Sequence, residues 1–577
     1  MIRTLGIAGI VLFANVSAWS QSDDGSLGNE VVKTTTTYVP VVTEAFKLSD
    51  NPQIVDTVIE VKQTAEYKIK EKRAETTFEA KPIKPAKMKG ERLNKLYRSY
   101  LLLGMGNNLT TRGELVINSI RSKKWDYGLT AWHHGSNGNV KDRGDAGFSD
   151  NYFNAYARKF FYNSIVSGNI RYNLNTLHKY GFNPSDYSET IQNDSLNKDI
   201  TAQRFQTIEP TLKFKSYYKD SNKINYEGML KYYHYRDRFS SAEDNVQAEF
   251  VLDRFVNQEF VKVKAWMDFN QFKMHPESLP TRTTTNTMLG LMPVLETTRG
   301  DFKLRAGAQL VFGFGNRNDV FVIPDLYVKY DLVKDILIPY AGLNGGVSRN
   351  NFRSLTETNP YLVSDPTTNL EHVKYRVYGG IRGAFSSKAS FNARVSHQDM
   401  DNLALFVNPV DSLGGVAINN EFNVIYDNGS ITSVYGEFGW QNVGKFNFVL
   451  SGEYFRYNLK NQKAAWNMPD FKANLNTTYN LARKISLKAD IFFISERKAR
   501  TTGGVGHENL GGGVYAETLD ALIDVNLSAE YFFTRRLTAF VRLYNLANSN
   551  YNVWRNYDQQ GLTVVAGVSY SFWGTRK

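Results

Sequence analysis

Between residues 471 and 493 apolar and polar positions alternate with a period of two. Phe471, Ala473, Leu475, Thr477 and Tyr479 share one parity, with Lys472, Asn474, Asn476 and Thr478 between them. After "NLARK", Ile485, Leu487, Ala489, Ile491 and Phe493 resume the beat around Ser486, Lys488 and Asp490. Alternation places successive side chains on opposite faces of an extended chain, so the stretch predicts two strands of a hairpin, each apolar on one face. The same pattern, or close to it, recurs from Tyr97 onward in "RGELVINSI", "YVKY", "FNFVLSGEY", "VNLSAEY", "LTAFVRLY" and "GLTVVAGVSYSF", and helical periodicity is hard to find.

The connections carry a second pattern. Short ones are predicted near 122–123, 161–163, 218–221, 254–257, 298–300, 331–335, 386–388, 442–444, 481–484 and 533–536. Between them lie mostly longer ones at 136–149, 177–199, 273–285, 348–372, 458–468, 497–518 and 548–560. Nothing in a soluble sandwich forces loop length to alternate. A transmembrane barrel does, with tight turns on the periplasmic side and long loops outside. Its apolar face meets lipid, its polar face lines a wet lumen, and its edges close on each other. The fold class predicted is therefore all-β: a closed antiparallel transmembrane β-barrel over residues 98–577. Taking 389–408 and 419–441 as single long strands gives about 22 strands.

Composition then fits this reading. Mean hydropathy is only −0.41 and apolar residues make up 42%, since only alternate positions need be apolar. Aromatics reach 14%, with 34 Tyr and 36 Phe, enough for interfacial girdles. The chain has no cysteine, which excludes disulfides and a lipid anchor on a cysteine. Its formal charge of +12 suits nucleic acid, acidic lipid or acidic sugar polymers and by itself selects none. Arg3, the run "LGIAGIVLFA" and the following "NVSAWSQ" have the order of a secretory signal, with cleavage after Ala18 or Ser20, so residues 1–20 read as a signal peptide. Residues 21–97 mix Thr, Pro and Lys with short β-prone pieces and read as an extended segment, periplasmic or threading the lumen.

"MPDFKANLNTTYNLARKISLKADIFFISER" (468–497) resembles a late hairpin of TonB-dependent receptors, and "LTAFVRLYNLANSNYNVWRNYDQQGLTVVAGVSYSF" (537–572) is similar to their closing hairpin. Asn545, Leu546 and Asn548 precede Tyr551 there, Gly561 opens the last strand, and Phe572 stands near the end as the terminal aromatic of such barrels does. The likeness runs from about residue 388 to the end. It implies a cell outer-membrane barrel that binds or passes a solute. The globular plug of that family is not detected in residues 21–97, although "DTVIEV" (56–61) and "NEVVK" (29–33) faintly resemble its partner-binding box. The alternative is a plugless barrel that serves envelope assembly, with residues 21–97 binding a periplasmic or outer-membrane protein partner. Outer-membrane lipid is the other partner, and nucleic acid is not one.

No residue set points to catalysis, a cofactor or a metal, and the ligand-binding residues are unknown. His133 and His134 are the one adjacent histidine pair, and strand geometry sends them to opposite faces. The Gly-rich stretch 501–517 follows no parallel βα unit and reads as an external loop rather than a phosphate cradle. "WDYG" (125–128), "YYHYRDRF" (232–239) and "YFRYNLKNQKAAWN" (454–467) mix aromatics with cations near predicted outer rims and read as girdle residues. Lys472, Lys488, Asp490, Glu530 and Arg542 have lumen parity. An even strand count puts both barrel ends on the periplasmic side, so residues 21–97 should begin there. Protease added to intact cells is expected to spare this segment and protease admitted to the periplasm to cut it; cleavage from outside would reverse the topology.

Overall fold

The computed structural model describes residues 96–574, apart from 121, 139, 190–191, 193–197, 219, 221, 276–279, 316–317, 409–411, 414–415, 418–419, 443, 483 and 502–506. The readings of residues 1–20 as a signal and 21–97 as an extended segment fall almost wholly outside the described residues.

One antiparallel sheet of 22 strands runs from Tyr97–Gly106 to Thr563–Gly574. Tyr97–Gly106 pairs with Thr111–Asn118 on one side and with Thr563–Gly574 on the other, so the sheet has no free edge. Closure is what a strand structure in hydrocarbon requires, since an open edge would leave backbone groups unpaired where no water can reach them. The protein is an outer-membrane β-barrel.

The two parities separate as the sequence requires. On the first strand Leu103 is 55% exposed on the outer wall, whereas Leu102 is 2% exposed on the inner one, packed with Phe540 and Val565. In the hairpin Phe471–Leu481 and Ile485–Ile494, Phe471, Tyr479 and Leu487 are exposed, and Leu475, Ile491 and Val525 lie in one cross-strand row. Lys472 and Ser486 are buried on the inner side.

Ten connections, 119–124, 161–163, 217–224, 257–258, 300–301, 331–337, 387–388, 443–445, 482–484 and 533–536, lie at the end where the barrel starts and finishes. They match the ten short turns read from sequence, and this is the periplasmic end. Of the three two-residue turns, 257–258 and 300–301 use a left-handed residue, supplied by Asn257 (φ +57°) and Gly300 (φ +59°). At the other end stand the long loops 137–147, 179–201, 351–368, 408–422, 460–470, 495–521 and 545–562. The alternation is not complete, because 107–110, 237–241, 275–281 and 315–318 are short connections at this external end. Ala389–Val407 and Asn423–Asn442, of 19 and 20 residues, are the two long strands expected. Only about 9–11 tilted residues are needed to cross the hydrocarbon. The upper part of the wall therefore stands above the membrane and carries the loops.

Ile491 faces lipid and Asp490 faces the lumen. Ile491→Lys is expected to cost about 2–4 kcal/mol near the midplane, while Asp490→Lys keeps a hydrated charge. Heat stability and membrane yield should fall for the first and hold for the second; equal behaviour would mean that the faces are exchanged.

Candidate functional site

The external mouth is covered by its own loops, and their meeting point is built from three tyrosines. Tyr180, Tyr361 and Tyr557 come from the loops after Ser164–His178, Ile338–Asn350 and Leu537–Tyr544, the 5th, 13th and 21st of the 22 barrel strands. Their origins are thus close to a third of the circumference apart. Tyr361 and Tyr557 stack with ring centroids 3.5 Å apart, and Tyr180 meets them edge-on at 5.9 and 4.9 Å. Three chains anchored so far apart come into ring contact only by reaching inward across the bore. Gly181 permits the approach, because a Cβ there would stand 2.6 Å from the Tyr557 ring. Burial holds all three phenols well above their ordinary pKa, so they stay neutral.

Leu355, Leu362, Phe406, Phe422, Trp554 and Ala146 pack around the tyrosines. Polar ties lock the same loops. The Lys179 ammonium pairs with Glu421, and the Tyr557 hydroxyl donates to the Asn420 carbonyl. The Tyr180 hydroxyl donates to the Asp558 carbonyl at 2.9 Å, and Arg143 reaches Asp558 at 2.6 Å. A second cluster around Trp466, Leu405 and Phe455 continues the cap under the loops 460–470 and 495–521. Arg497 donates to the Val553 and Asn552 carbonyls at 2.7 and 2.5 Å, and burial lowers its pKa to about 10, which leaves it charged near neutrality.

Below the tyrosines a short helix, Phe352–Thr358, lies inside the bore. Asn351 caps it, accepting from Ser354 N at 2.8 Å, while the Asn351 N–H donates to Ser354 Oγ at 3.0 Å. Asn359 and Pro360 end it, since proline disfavours helix in the residue before it. The spacing of Phe352, Leu355 and Thr356 gives one buried face. Phe352 stacks on Phe272 with centroids 4.8 Å apart and meets Tyr235 edge-on. On the other face Arg353 bonds Glu357 at 2.8 Å and Glu209 at 2.6 Å, and Glu209 also accepts from Arg171 at 2.9 Å. The Phe352 N–H donates to Glu243 at 2.7 Å, and Tyr233 donates to the same carboxyl at 2.5 Å. Ion pairs of this kind fix position more than they stabilise, because desolvation offsets most of their attraction. They hold the helix against strands four to seven places around the wall from its own.

The residues singled out from sequence divide. His133 is held by Thr111 and Asn151, both at 2.8 Å, and His134 turns inward against Phe148, so the pair does sit on opposite faces. Among the described residues no group of three or more His, Cys, Asp or Glu converges as a metal site would. Lys488 pairs diagonally with Glu530 at 3.6 Å on the lumen wall, Lys472 lies over the Phe455 ring, and Arg542 over Phe540. "WDYG" lies at the periplasmic end, not the outer rim, because Trp125 follows the turn 119–124; there Lys159 stacks over the Trp125 ring. "YYHYRDRF" splits by parity, with Tyr232 exposed on the outer wall and Tyr233 and Tyr235 buried inside against the lumen helix. Trp466 is cap core and not girdle. Of the stretch 501–517, residues 502–506 lie outside the described residues; Glu508–Asn509 and Tyr515–Leu519 add a small sheet with Arg497–Thr501 in the external loop. None of Tyr180, Tyr361 and Tyr557 was marked by the sequence reading.

Solved structures share this architecture. The ferripyoverdine receptor of Pseudomonas aeruginosa aligns with TM-score 0.62 at 11% identity, over 84% of this chain and 72% of that one. The barrel has the TonB-dependent receptor fold. The siderophore receptor PirA of Acinetobacter baumannii aligns with TM-score 0.62 at 10% identity over 84% and 81%, and the FrpB iron transporter of Neisseria meningitidis with 0.61 at 10% over 83% and 82%. No family model matches the sequence, and no curated protein matches it. At such identities the likeness to these neighbours is one of fold.

Removing the Tyr557 ring deletes a fully buried aromatic at the meeting point of the cap, at a cost of about 3–5 kcal/mol. Tyr557→Ala should therefore leave the heat-modifiable barrel intact while trypsin, added to intact cells, cuts after Lys141, Arg143 or Lys179 at least tenfold faster. Unchanged cleavage would show that the tyrosines do not hold the cap.

Proposed function

We propose that the protein is an outer-membrane receptor that binds a solute at its external cap and admits it to the lumen when the cap opens. The carrying observation is the inward convergence of three loops from thirds of the wall, with the helix Phe352–Thr358 beneath them. A 22-strand bore is wider than a porin's and is blocked by internal structure in transporters of that size. The structural neighbours are named as receptors or transporters of ferric catecholates, ferripyoverdine, siderophores and iron, which supports a solute too large for a general pore. The cap supplies stacked phenols and arginines, groups suited to a solute with aromatic or anionic parts.

Planar-bilayer conductance separates passage from a purely assembly-related role. Four forms are compared: the full chain, the chain without residues 21–95, the chain with 351–362 replaced by a Gly/Ser linker, and the double variant. A low full-chain conductance that rises several-fold on replacing 351–362 is the expected result and makes the cap the barrier. A rise confined to the double variant would make residues 21–95 a second barrier in series. No rise in any form would overturn passage and leave the partner-binding alternative.

A further inference from the structure

On the outer wall, away from the cap, two features lie one above the other, the upper one reaching two strands further round the wall. The lower is an apolar hollow floored by Ala157, Gly168 and Pro210 and flanked by Leu212, Leu230 and Tyr232. It is hollow because bulky neighbours surround small ones, and a Cβ placed on Gly168 would meet nothing within 4 Å. The upper feature is basic. Counting outward-facing positions toward the external end, Pro210 and Tyr232 share a row, Ile208 and His234 the next, and Gln206 and Arg236 the one after. Arg236 is opposite Ala242, which is opposite Lys273, so Arg236 and Lys273 stand in one row two strands apart. Arg204 is two residues further up the strand of Gln206.

All three cations are exposed. Arg236 donates to Gln206 at 2.6 Å, and none of the three forms an ion pair among the described residues. The carboxylate on their side is Asp244, already engaged by Tyr232 at 2.7 Å and His234 at 2.8 Å and within electrostatic reach of Lys273. Lys374, further round the wall, shows the usual alternative, held between Asp399 and Asp401 at 3.0 and 2.9 Å. With no ion-pair partner among the described residues, the three cations at the outer rim face the leaflet whose phosphates would neutralise them.

We propose that this strip binds one phosphate-bearing lipid of the outer leaflet, with an acyl chain in the hollow at Gly168 and its phosphates against Arg236, Lys273 and Arg204. The spacing fits. Four residues separate the row of Pro210 from that of Arg236, about 13 Å of strand, and Arg204 is about 7 Å beyond. That is the offset between the upper part of an acyl chain and a phosphorylated headgroup, and two charges about 10 Å apart across the strands match a headgroup with more than one phosphate. The apolar wall alone would hold any lipid. The charges select an anionic one, since basic residues near the membrane surface attract anionic headgroups.

The test uses the full-length protein, exchanged into fresh detergent to strip bound lipid and titrated with diphosphorylated lipid A, with its dephosphorylated form and with inorganic phosphate. The unmodified protein should bind the phosphorylated lipid at least tenfold more tightly than the dephosphorylated one, and inorganic phosphate should not saturate in the millimolar range. Arg204→Gln/Arg236→Gln/Lys273→Gln should abolish that preference. Gly168→Leu, which fills open space, should weaken both lipids several-fold and keep the preference. A retained preference in the triple variant, an unaffected Gly168→Leu protein, or free phosphate binding as well as the lipid would each overturn the proposal. The heat-modifiable band checks that every variant is folded, and Lys273→Gln alone, at an exposed position, should lower the preference even if the triple variant does not fold.

Discussion

A wall immersed in hydrocarbon must pair every backbone N–H and C=O within itself, and the pairing of Tyr97–Gly106 with Thr563–Gly574 meets that demand. Much else in the structure is downstream of this one seam. Closure in antiparallel order with 22 strands sets a wide bore and puts the first and last strands' free ends together at the periplasmic side. It also fixes an inner face that lipid never reaches. The period-2 pattern of the chain is the trace of that division: Leu101 and Leu103 can face lipid only because Tyr100 and Leu102 turn the other way.

A bore this wide cannot be filled by wall side chains alone, and the inner face shows how the chain deals with that. Along the wall, charges are matched in place, as in Arg305 with Asp325 at 2.6 Å and Lys303 with Glu296 at 3.2 Å. At the external end, sequence is spent on loops that fold back into the opening. The tyrosines bring ring packing to the centre, and the helix Phe352–Thr358 brings both an apolar face and Arg353 to the inner wall. The upper reaches of the long strands make this feasible, because they hold the loop bases above the hydrocarbon, where polar ties such as Arg143 to Asp558 face water and protein instead of lipid.

How much of this was legible follows from which forces are local. Alternation is a local signal, so the strands, the ten tight turns and the facing of Ile491 and Asp490 could be read residue by residue. Loop length is local as well, but it misled at 275–281, read from sequence as one of the longer connections at 273–285 and short in the structure. Parity also placed Lys488 and Glu530 on one wall without any knowledge of their contact. The cap was not legible. Tyr180, Tyr361 and Tyr557 are ordinary aromatics among 34 tyrosines, and only closure of the sheet brings their loops to one centre. Tyr233, Tyr235 and Trp466 misread as girdle for the same reason: an aromatic near a rim has one signal in sequence and two destinations in space.

The wall and the cap also differ in what could replace their bonds. A ladder hydrogen bond within the hydrocarbon has no substitute if it opens, which makes the sheet resistant to partial loosening. The cap's contacts are of another kind. The Arg353–Glu209 pair, the Lys179–Glu421 pair and the Tyr180 hydroxyl bond to Asp558 are buried but lie outside the hydrocarbon, so water or a polar solute could take over either partner once they part. Buried ion pairs are near break-even against solvation, so exchanging them costs far less than their number suggests. What remains to resist opening is chiefly the aromatic packing around Tyr361 and Tyr557, a term that a ligand with its own ring or apolar face could repay in kind. The irreplaceable bonds therefore lie in the barrel and the replaceable ones in the cap, which is the distribution that the proposed opening of the cap would need.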